Sequence, residues 1–210
     1  MSQILVLGTR NRKKCVELEP LLAPYGFQLL TLADLPQAIE VEETGTTFAA
    51  NAALKASQQA LHLKQWVLGE DSGLEVEALR GAPGVYSARY AGTQGDDEAN
   101  NRLLLDNLRE VPLERRSARY VCHIALSDPT GQIHASVEEY CRGRILLERR
   151  GSAGFGYDPM FEVIEYHRTF GELGLDVKSV LSHRSRAVRQ FVPKLLALLA
   201  SGAFAHESTV

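Results

Sequence analysis

Short apolar runs in the first third of the chain predict buried strands. The run from Gln3 to Leu7 has the length of a strand and stops at Gly8. A second run extends from Phe27 to Leu32, and a third ends with Trp66 to Leu68. Since these runs are continuously apolar, we expect strands that are covered by other elements rather than exposed on one face.

Apolar residues that recur at helical spacing predict four helices. The first surrounds Pro20, which predicts an early end or a kink. The alanine-rich positions 48–63, the positions 97–108 and a long segment after Ser182 predict three more. Pro193 predicts a bend or a break in the last helix.

One antiparallel hairpin is predicted by alternation of apolar and polar residues. Ser117 to Ser127 alternates, Asp128 to Gly131 has turn composition, and a second strand is predicted from Ile133 to Tyr140. His123 and His134 lie within this hairpin, and no second ligand is spaced to share a metal with either. We therefore interpret both histidines as structural residues.

The order of these elements predicts an α/β fold with a central mixed β-sheet flanked by helices and an antiparallel hairpin region. With 210 residues, of which 45% are hydrophobic, the chain can form one large domain or two closely joined lobes. We predict a single domain of two lobes over residues 1–202. Residues 203–210 are predicted to form a frayed, flexible tail.

Charge and cysteine content narrow the class of protein. The formal net charge of −3 argues against a general binder of nucleic acid or of membrane surfaces, so any anion site must be a local concentration of Lys and Arg. No apolar stretch reaches the ~18 to 20 residues of a membrane span, and the first apolar run is too short for a signal peptide. Three widely spaced cysteines fit a reduced cytoplasm.

The stretch from Gly69 to Gly92 holds the first candidate site. Glu70, Asp71 and Ser72 follow the third apolar run, so we expect them at the carboxyl edge of its strand, where open α/β sheets bind ligands. Two adjacent carboxylates repel each other, which predicts a cation between or beside them, and Mg²⁺ with a phosphate substrate fits this need. A solvated acidic turn is the alternative interpretation.

A basic turn follows the first predicted strand. It contains Thr9, Arg10, Asn11, Arg12, Lys13 and Lys14. A strand, a basic turn and a helix together predict a phosphate site, because N–H groups at a helix start are unpaired and Lys14 adds a positive charge. The turn has too few glycines for a Walker loop, and a solvated basic turn is the alternative.

The alanine-rich helix presents a second cation. Asn51 and Lys55 are four residues apart, so they share one face and are candidates to point together into a cleft. An acidic loop from Glu40 to Gly45 precedes this helix. A pair of surface residues is the alternative interpretation.

Two later segments have features of a nucleobase site. Gly151 to Phe161 combines glycines with Phe155 and Tyr157, whose exposed rings would let a base stack, although a tight turn with packed aromatics is the alternative. Ser182 is a candidate N-cap, which places His183 and Arg184 in the first turn of the last helix. Cations there need an anionic or electron-rich partner.

Six motifs occur in a fixed order along the chain. They are T-x-N-x-x-K-x-x-E from Thr9, E-E-T-G-x-T-F-x-x-N-A-x-x-K-A from Glu42, D-S-G-L from Asp71, P-G-V-Y-S-A-R-Y from Pro83, G-F-G-Y-D-P from Gly154 and S-H-R from Ser182. Together they cover almost the whole chain. Their order closely resembles the inosine triphosphate pyrophosphatase family, also called XTP/dITP diphosphatases.

The resemblance implies an elongated α/β homodimer that uses Mg²⁺ to hydrolyse ITP, dITP and XTP to the monophosphate and pyrophosphate. It implies that Asp71 is the general base and a metal ligand, that Lys14 is the second catalytic residue, and that Glu42 and Glu70 are further metal ligands. Glu70 stands where many bacterial relatives have Asp, so contact with the metal either directly or through water stays open.

The candidate substrate contacts come from the residues and the resemblance together. They are Thr9, Arg10, Asn11, Arg12, Lys13, Lys14, Asn51, Lys55, Ser72, Phe155, Gly156, Tyr157, Asp158, Lys178, His183 and Arg184. His183 and Arg184 can donate to the 6-oxo group of hypoxanthine or xanthine, whereas adenine would face them with a donor. The sequence does not explain how guanine is rejected.

Two other functions stay open at this stage. A nucleotide-binding module without catalysis would bind ITP tightly and release no product. A pyrophosphatase for another modified nucleotide would be distinguished by a panel of substrates.

Overall fold

The computed structural model describes residues 3–204, and its centre is a single seven-stranded mixed β-sheet. The strands are β1 Ile4–Leu7, β2 Gln28–Thr31, β3 Val67–Val76, β4 Ser117–Ser127, β5 Ile133–Ile145, β6 Phe161–Val163 and β7 Arg168–Thr169. Their order in the sheet is β2-β1-β3-β4-β5-β6-β7. β1 pairs in parallel with β2 and β3, and the other pairs are antiparallel. The predicted mixed α/β sheet is confirmed.

Five α-helices pack around this sheet. They are α1 Arg12–Leu22, α2 Phe48–Leu63, α3 Asp97–Asn107, α4 Phe170–Leu181 and α5 His183–Ala200. The sequence predicted all of these except α4, which Gly174 interrupts with a non-helical φ of 79°. Across residues 3–204, every helix lacks either the length or the apolar character needed to cross a bilayer.

α1 and α5 each contain a proline. Pro20 lies inside α1, which continues past it to Leu22, the last apolar residue of the predicted pattern, and a short 3-10 turn follows. Pro193 lies within α5, which continues to Ala200. The alternative of a break in that helix is therefore wrong.

The acidic residues lie inside β3 rather than at its carboxyl edge, which corrects the predicted position. β3 continues to Val76 because β4 pairs with it in register from Val67 to Val76. The parallel pairing of β1 with β3 ends at Leu7 and Leu68. Beyond that point the described residues place no strand beside β3 on its β1 side, so the candidate site lies at the carboxyl end of β1.

Successive residues of β3 point to opposite faces of the sheet. Gly69 faces α2, because a Cβ there would collide with the backbone of Ala52 and Ala56. Asp71 shares that face, whereas Glu70 shares the opposite face with Leu68. The two adjacent carboxylates therefore do not lie side by side. The predicted cation between them is excluded, whereas a cation beside each of them agrees with the prediction.

The hydrophobic core has two large clusters, and β3 runs from one to the other. Leu68 belongs to the first cluster, with α1 and α5, and Leu74 belongs to the second, with parts of α3 and β5. Glu70 and Ser72 lie between them on the same face of the strand. A polar band therefore crosses the middle of an otherwise apolar face.

The predicted hairpin is confirmed and extends further than predicted, since β5 continues to Ile145. Asp128 organises its turn by accepting the N–H of Thr130 at 2.8 Å. Burial would raise the pKa of Asp128, but hydrogen bonds from Thr130 and His134 lower it to about 2. His123 contacts Ser136 at 2.6 Å across the hairpin. Both histidines thus contact side chains of the hairpin itself.

The C-terminal end of the described chain is packed, so the predicted frayed tail is wrong for Ala203 and Phe204. Phe204 is 3% exposed, and its ring stacks on Trp66 with centroids 4.2 Å apart. Phe27 contacts the same ring at 5.4 Å. The remainder of the predicted tail, residues 205–210, lies outside the described residues.

Replacing Phe204 by alanine tests this packing. We expect Phe204→Ala to lower the free energy of unfolding by about 3 kcal/mol, because it removes the stacked ring and leaves a cavity beside Trp66. Urea unfolding followed by tryptophan fluorescence measures the change. Leu147→Ala is the control, since Leu147 is 61% exposed and should change stability by less than about 0.5 kcal/mol. Equal midpoints for Phe204→Ala and wild type would contradict the packing.

Candidate active site

Glu70 is buried between two cations on the α1 and α5 side of the sheet. Lys14 Nζ lies 2.7 Å from its Oε2, and Arg184 Nη2 donates to its Oε1 at 3.0 Å. Cys122 Sγ contacts the same Oε1 at 3.4 Å. Burial alone would raise the pKa of Glu70, but Lys14 and Arg184 hold it well below its usual range. Glu70 is therefore a buried anion at neutral pH.

Asp71 faces α2 and is neutralised by a different lysine. Lys55 Nζ donates to Asp71 Oδ1 at 2.8 Å, and Asn51 Nδ2 donates to Oδ2 at 3.3 Å. Burial raises the pKa of Asp71, and the opposing effects of Lys55 and Lys14 do not cancel it. Asp71 is thus a stronger base than an exposed aspartate, which suits proton abstraction.

α2 brings Asn51 and Lys55 together, as their spacing predicted. Thr47 begins the helix as its N-cap by accepting the N–H of Ala50 at 3.1 Å. Asn51 Oδ1 also accepts the N–H of Gly45 at 2.8 Å, which ties the acidic loop to Asp71. A Cβ at Gly45 would collide with Asn51, so only glycine fits there.

The acidic loop contributes Glu43 rather than Glu42 to this cluster. Glu43 Oε2 lies 3.5 Å from Lys55 Nζ. Glu42 is exposed and takes no part in the ion pairs that the described residues form around Asp71. The family motif predicted Glu42 as a metal ligand. Glu43, the next residue of the same motif, was not predicted to belong to the site.

The phosphate turn is ordered by its own polar side chains. Asn11 is the N-cap of α1, and its Oδ1 accepts the N–H groups of Lys13 and Lys14 at 3.0 and 3.3 Å. Thr9 Oγ1 accepts the N–H of Asn11 at 3.1 Å. The N–H groups of Lys13 and Lys14, which the sequence predicted as phosphate ligands, therefore donate to Asn11 instead.

Three of the four cations of this turn have separate partners among the described residues. Lys14 reaches Glu70, whereas Lys13 Nζ lies 2.7 Å from Asp97 Oδ2. Arg10 donates to the carbonyl of Ala38 at 2.7 Å, and Arg12 is exposed. Burial would lower the pKa of Lys14, but the charges of Glu70 and Asp71 together raise it. Lys14 is therefore an ammonium at neutral pH.

The start of α5 meets β3 and α1. Ser182 is its N-cap and accepts the N–H of Ser185, as predicted. Arg184 is 1% exposed, donates to Ser72 Oγ at 2.9 Å, and pairs with Glu17. The helix dipole disfavours a cation at this position, and Glu17 and Glu70 neutralise Arg184. The sequence predicted an anionic or electron-rich partner but did not identify which residue it is.

Glu17 connects two of the predicted cations. Its Oε1 lies 2.7 Å from Lys178 Nζ, and its Oε2 pairs with Arg184. Lys178 also donates to Asp158 Oδ2. Burial would raise the pKa of Glu17, but Arg184 and Lys178 lower it. The spacing of Glu17 three residues after Lys14 on α1 was the signal that could have identified it, since both share one helix face.

His183 is buried against an aromatic ring. Its imidazole stacks on Tyr120 with ring centroids 4.7 Å apart and an angle of 11° between the planes. Burial lowers its pKa well below the ordinary value, so the ring is neutral at pH 7. Its Nδ1 is buried without a hydrogen-bond partner among the described residues. A neutral imidazole has one donor and one acceptor to offer a ligand.

The glycine-rich aromatic loop presents Phe155 but not Tyr157. Tyr157 is 3% exposed within the second core cluster, and its hydroxyl donates to Ser87 O at 2.8 Å. Its ring is therefore unavailable to stack on a base, which corrects the expectation for Tyr157. Phe155 is partly exposed, and Lys178 Nζ lies 4.3 Å from its ring centroid.

Asp158 shapes this loop from within. It accepts the N–H of Phe155 at 2.8 Å and contacts Lys178. Burial raises the pKa of Asp158 in spite of Lys178. Gly154 lies against the same carboxylate, where a Cβ would collide with it, and Gly156 has a φ of 60°. The loop is therefore held in one shape by a buried polar residue.

The sequence segments meet at two adjacent residues of β3, one on each face of the sheet. The phosphate turn, the start of α5 and β3 meet at Glu70, and α2 brings its lysine to Asp71 from the opposite face. Cations at the end of a parallel strand pair, next to buried carboxylates, suit a ligand that carries phosphate groups. Fold and site together define an α/β protein whose sheet carries a cluster of charged residues suited to such a ligand.

Comparison with known proteins supports this class. Residues 5–194 match the sequence model of the Ham1 family. A dITP/XTP pyrophosphatase of Rhodopirellula baltica is 60% identical over 197 residues, which cover 94% of this chain and 95% of that protein.

Solved structures agree with the sequence comparison. A HAM1 protein from Coxiella burnetii has a TM-score of 0.85 at 34% identity, with 93% of this chain and 99% of that chain covered. A nucleoside-triphosphatase / dITP/XTP pyrophosphatase from Mycobacterium abscessus has a TM-score of 0.75 at 41% identity, with 91% and 99% covered. The chain belongs to the Ham1 family, which confirms the resemblance drawn from its motifs.

Glu70→Gln tests the buried charge cluster. We expect a loss of about 3 kcal/mol in the free energy of unfolding at pH 7, because Lys14 and Arg184 lose their shared anion. The folded-state pKa of Glu70 lies below the ordinary 4.5, so its stabilisation is complete above that pH and is lost as pH falls through the folded value. The difference in free energy of unfolding between Glu70→Gln and the wild type should therefore become smaller at acidic pH.

Urea titrations at pH 7 and below about pH 4 measure this difference. Glu75→Gln is the matched control, since Glu75 pairs with the half-exposed Arg119 at the surface and should change stability by less than about 1 kcal/mol. A difference between wild type and Glu70→Gln that stays constant over this pH range would contradict the assignment.

Proposed function

We propose that this protein hydrolyses deaminated purine nucleoside triphosphates, namely ITP, dITP and XTP, to the nucleoside monophosphate and pyrophosphate. The observation that carries the proposal is Asp71, a buried carboxylate with a raised pKa that contacts Lys55 close to the phosphate turn. The names of the relatives, which are dITP/XTP pyrophosphatases, support the same substrates.

The reaction requires water to attack the α-phosphorus of a highly charged substrate. In the proposed step, Asp71 takes a proton from the water while the oxygen of that water forms a bond to the α-phosphorus. The bond from that phosphorus to the bridging oxygen breaks, and pyrophosphate leaves. Lys14 and Lys55 offset the negative charge that otherwise repels the nucleophile.

Mg²⁺ is the proposed cofactor, and the residues present fit it because they offer carboxylate oxygens as donors. The described residues hold no group of three or more His, Cys, Asp or Glu side chains placed to bind a metal by themselves. Mg²⁺ is commonly held by one or two carboxylates together with substrate phosphates, and carboxylate oxygen is the donor it prefers. When bound, Mg²⁺ would neutralise phosphate charge and orient the reacting groups.

Asp71 is the carboxylate that we expect to hold Mg²⁺, and Glu43 is the nearest second carboxylate, since both contact Lys55. Glu42 and Glu70 stay predicted ligands. Because Glu70 is already paired with Lys14 and Arg184, a direct contact with the metal would require it to give up one of these cations.

Selection of the base is proposed to depend on His183 and Arg184. Arg184 donates three of its five N–H groups to Glu17, Glu70 and Ser72. One N–H of Nη1 remains, together with that of Nε, which has no partner among the described residues. His183 is neutral and has an unpaired Nδ1. A donor from either residue would favour the 6-oxo group over the 6-amino group of adenine.

We further propose that the protein acts as a homodimer in the cytoplasm. The dimer is what the family resemblance implies, and light scattering on the purified protein would test it. Cys15, Cys122 and Cys141 are free and buried, which supports a reducing compartment.

Asp71→Asn tests the general base. We expect kcat to fall by about 10² to 10⁴, because the amide cannot accept the proton. In the wild type, burial holds the pKa of Asp71 above its ordinary 3.8, so kcat/KM should fall as pH drops through that raised value. Initial rates with ITP from pH 4 to 9 measure both effects. Asp106→Asn, on the exposed side of α3, is the control. Unchanged kcat in Asp71→Asn would contradict the role.

A panel of triphosphates tests the substrate class. With Mg²⁺ we expect ITP, dITP and XTP to be hydrolysed with kcat/KM at least about 10²-fold above that for ATP. Phosphate should be detected only after an inorganic pyrophosphatase is added, because the product is pyrophosphate. EDTA should abolish turnover, and excess Mg²⁺ should restore it. Tight ITP binding by calorimetry without turnover would instead identify a binding module.

A further inference from the structure

The start of α3 joins two segments of the candidate site that are far apart in sequence. Asp97 Oδ2 lies 2.7 Å from Lys13 Nζ in the phosphate turn. The same oxygen accepts the N–H of Gly156 at 3.0 Å in the aromatic loop. One carboxylate oxygen of α3 is therefore shared by the segment that would hold phosphates and the segment that would hold the base.

α3 holds the aromatic loop at a second point. Asn101 is 2% exposed, and its Nδ2 donates to Gly156 O at 3.0 Å. Asp97 and Asn101 are four residues apart, so they share one face of the helix. Together they bind both the N–H and the C=O of Gly156, beside the ring of Phe155.

Lys13 also approaches this ring. Its ammonium lies 5.6 Å from the ring centroid of Phe155, which places the cation beside both the carboxylate of Asp97 and the aromatic face. Lys13 is more than half exposed, so a phosphate group can compete for it. A change in the position of Lys13 would therefore alter what both Asp97 and Phe155 contact.

We propose that Asp97 and Asn101 are positioning residues for the base-binding loop, and that Asp97 couples this loop to the phosphate turn through Lys13. A polyphosphate draws Lys13 away from Asp97. The freed carboxylate then binds the N–H of Gly156 more strongly, because a charged acceptor shared with a cation is a weaker acceptor for a second donor. Phosphate binding thereby fixes the loop on which the base stacks.

This inference rests on the proposed function and specifies how its two subsites communicate. Coupling of this kind is reciprocal, so the base must strengthen phosphate binding by the same factor as phosphate strengthens binding of the base. Pyrophosphate and inosine are suitable separate probes, since each represents one part of the substrate.

Titrations of inosine with and without saturating pyrophosphate measure the coupling. In the wild type we expect pyrophosphate to lower the Kd of inosine by about two- to fivefold, the range that an exposed ion pair can supply. In Asp97→Asn we expect this factor to fall to one. We also expect pyrophosphate alone to bind about two- to fivefold more tightly to Asp97→Asn, because Lys13 is released from its competing anion.

Two other variants separate coupling from simple damage. Lys13→Gln should also abolish the coupling, and it tests the same pair if Asp97→Asn does not fold. Asn101→Ala should weaken inosine binding about tenfold, because the partly buried carbonyl of Gly156 loses its donor, and should leave the coupling factor unchanged. Asp106→Asn, the same substitution on the exposed side of α3, should behave like wild type in every titration.

The outcomes distinguish this inference from the proposed function. A general loss of structure would weaken the binding of both probes, whereas the coupling predicts that pyrophosphate alone binds more tightly to Asp97→Asn than to the wild type. Wild-type protein that hydrolyses ITP but shows no coupling, or the same coupling in Asp97→Asn, would overturn the inference and leave the proposed function standing. Wild-type protein that hydrolyses no triphosphate would overturn the proposed function.

Discussion

The ion pairs of Glu70 are the interaction on which the structure around the candidate site depends. A buried carboxylate is costly unless cations and hydrogen bonds compensate it, and here Lys14 and Arg184 come from opposite ends of the chain to do so. These contacts fix α1 and α5 against β3. They also keep the polar band between the two core clusters charged, which an apolar side chain at position 70 would not do.

The sheet separates the chemistry of the two neighbouring carboxylates. Glu70, fully paired on one face, has a pKa well below its usual range, whereas burial raises the pKa of Asp71 on the other. Two carboxylates one residue apart thus acquire different character from their surroundings. The more paired one suits a structural and electrostatic role, and the more basic one suits proton transfer.

The elements with clear periodicity were predictable from sequence, and so were the local site features. Strands β1 to β5, the N-cap Ser182 and the pair of Asn51 and Lys55 follow from the local residue pattern, whereas the short strands β6 and β7 were not predicted. Partners across the fold were less predictable. The spacing of Glu17 after Lys14 places it on the same helix face, but its contact with the start of α5 and the contact of Glu43 with Lys55 depend on the tertiary structure. The burial of residue 204 was missed for the same reason.

The alternation of side chains along β3 constrains how this chain can change in length. β4 holds β3 in register over Val67 to Val76, so each residue is assigned to one side of the sheet. Insertion or deletion of a single amino acid between Leu68 and Glu70 would exchange the surroundings of the two acids and send glycines into the charged band. Insertions and deletions should therefore be tolerated in the surface loops but not in this segment, whatever the chemical character of the inserted residue.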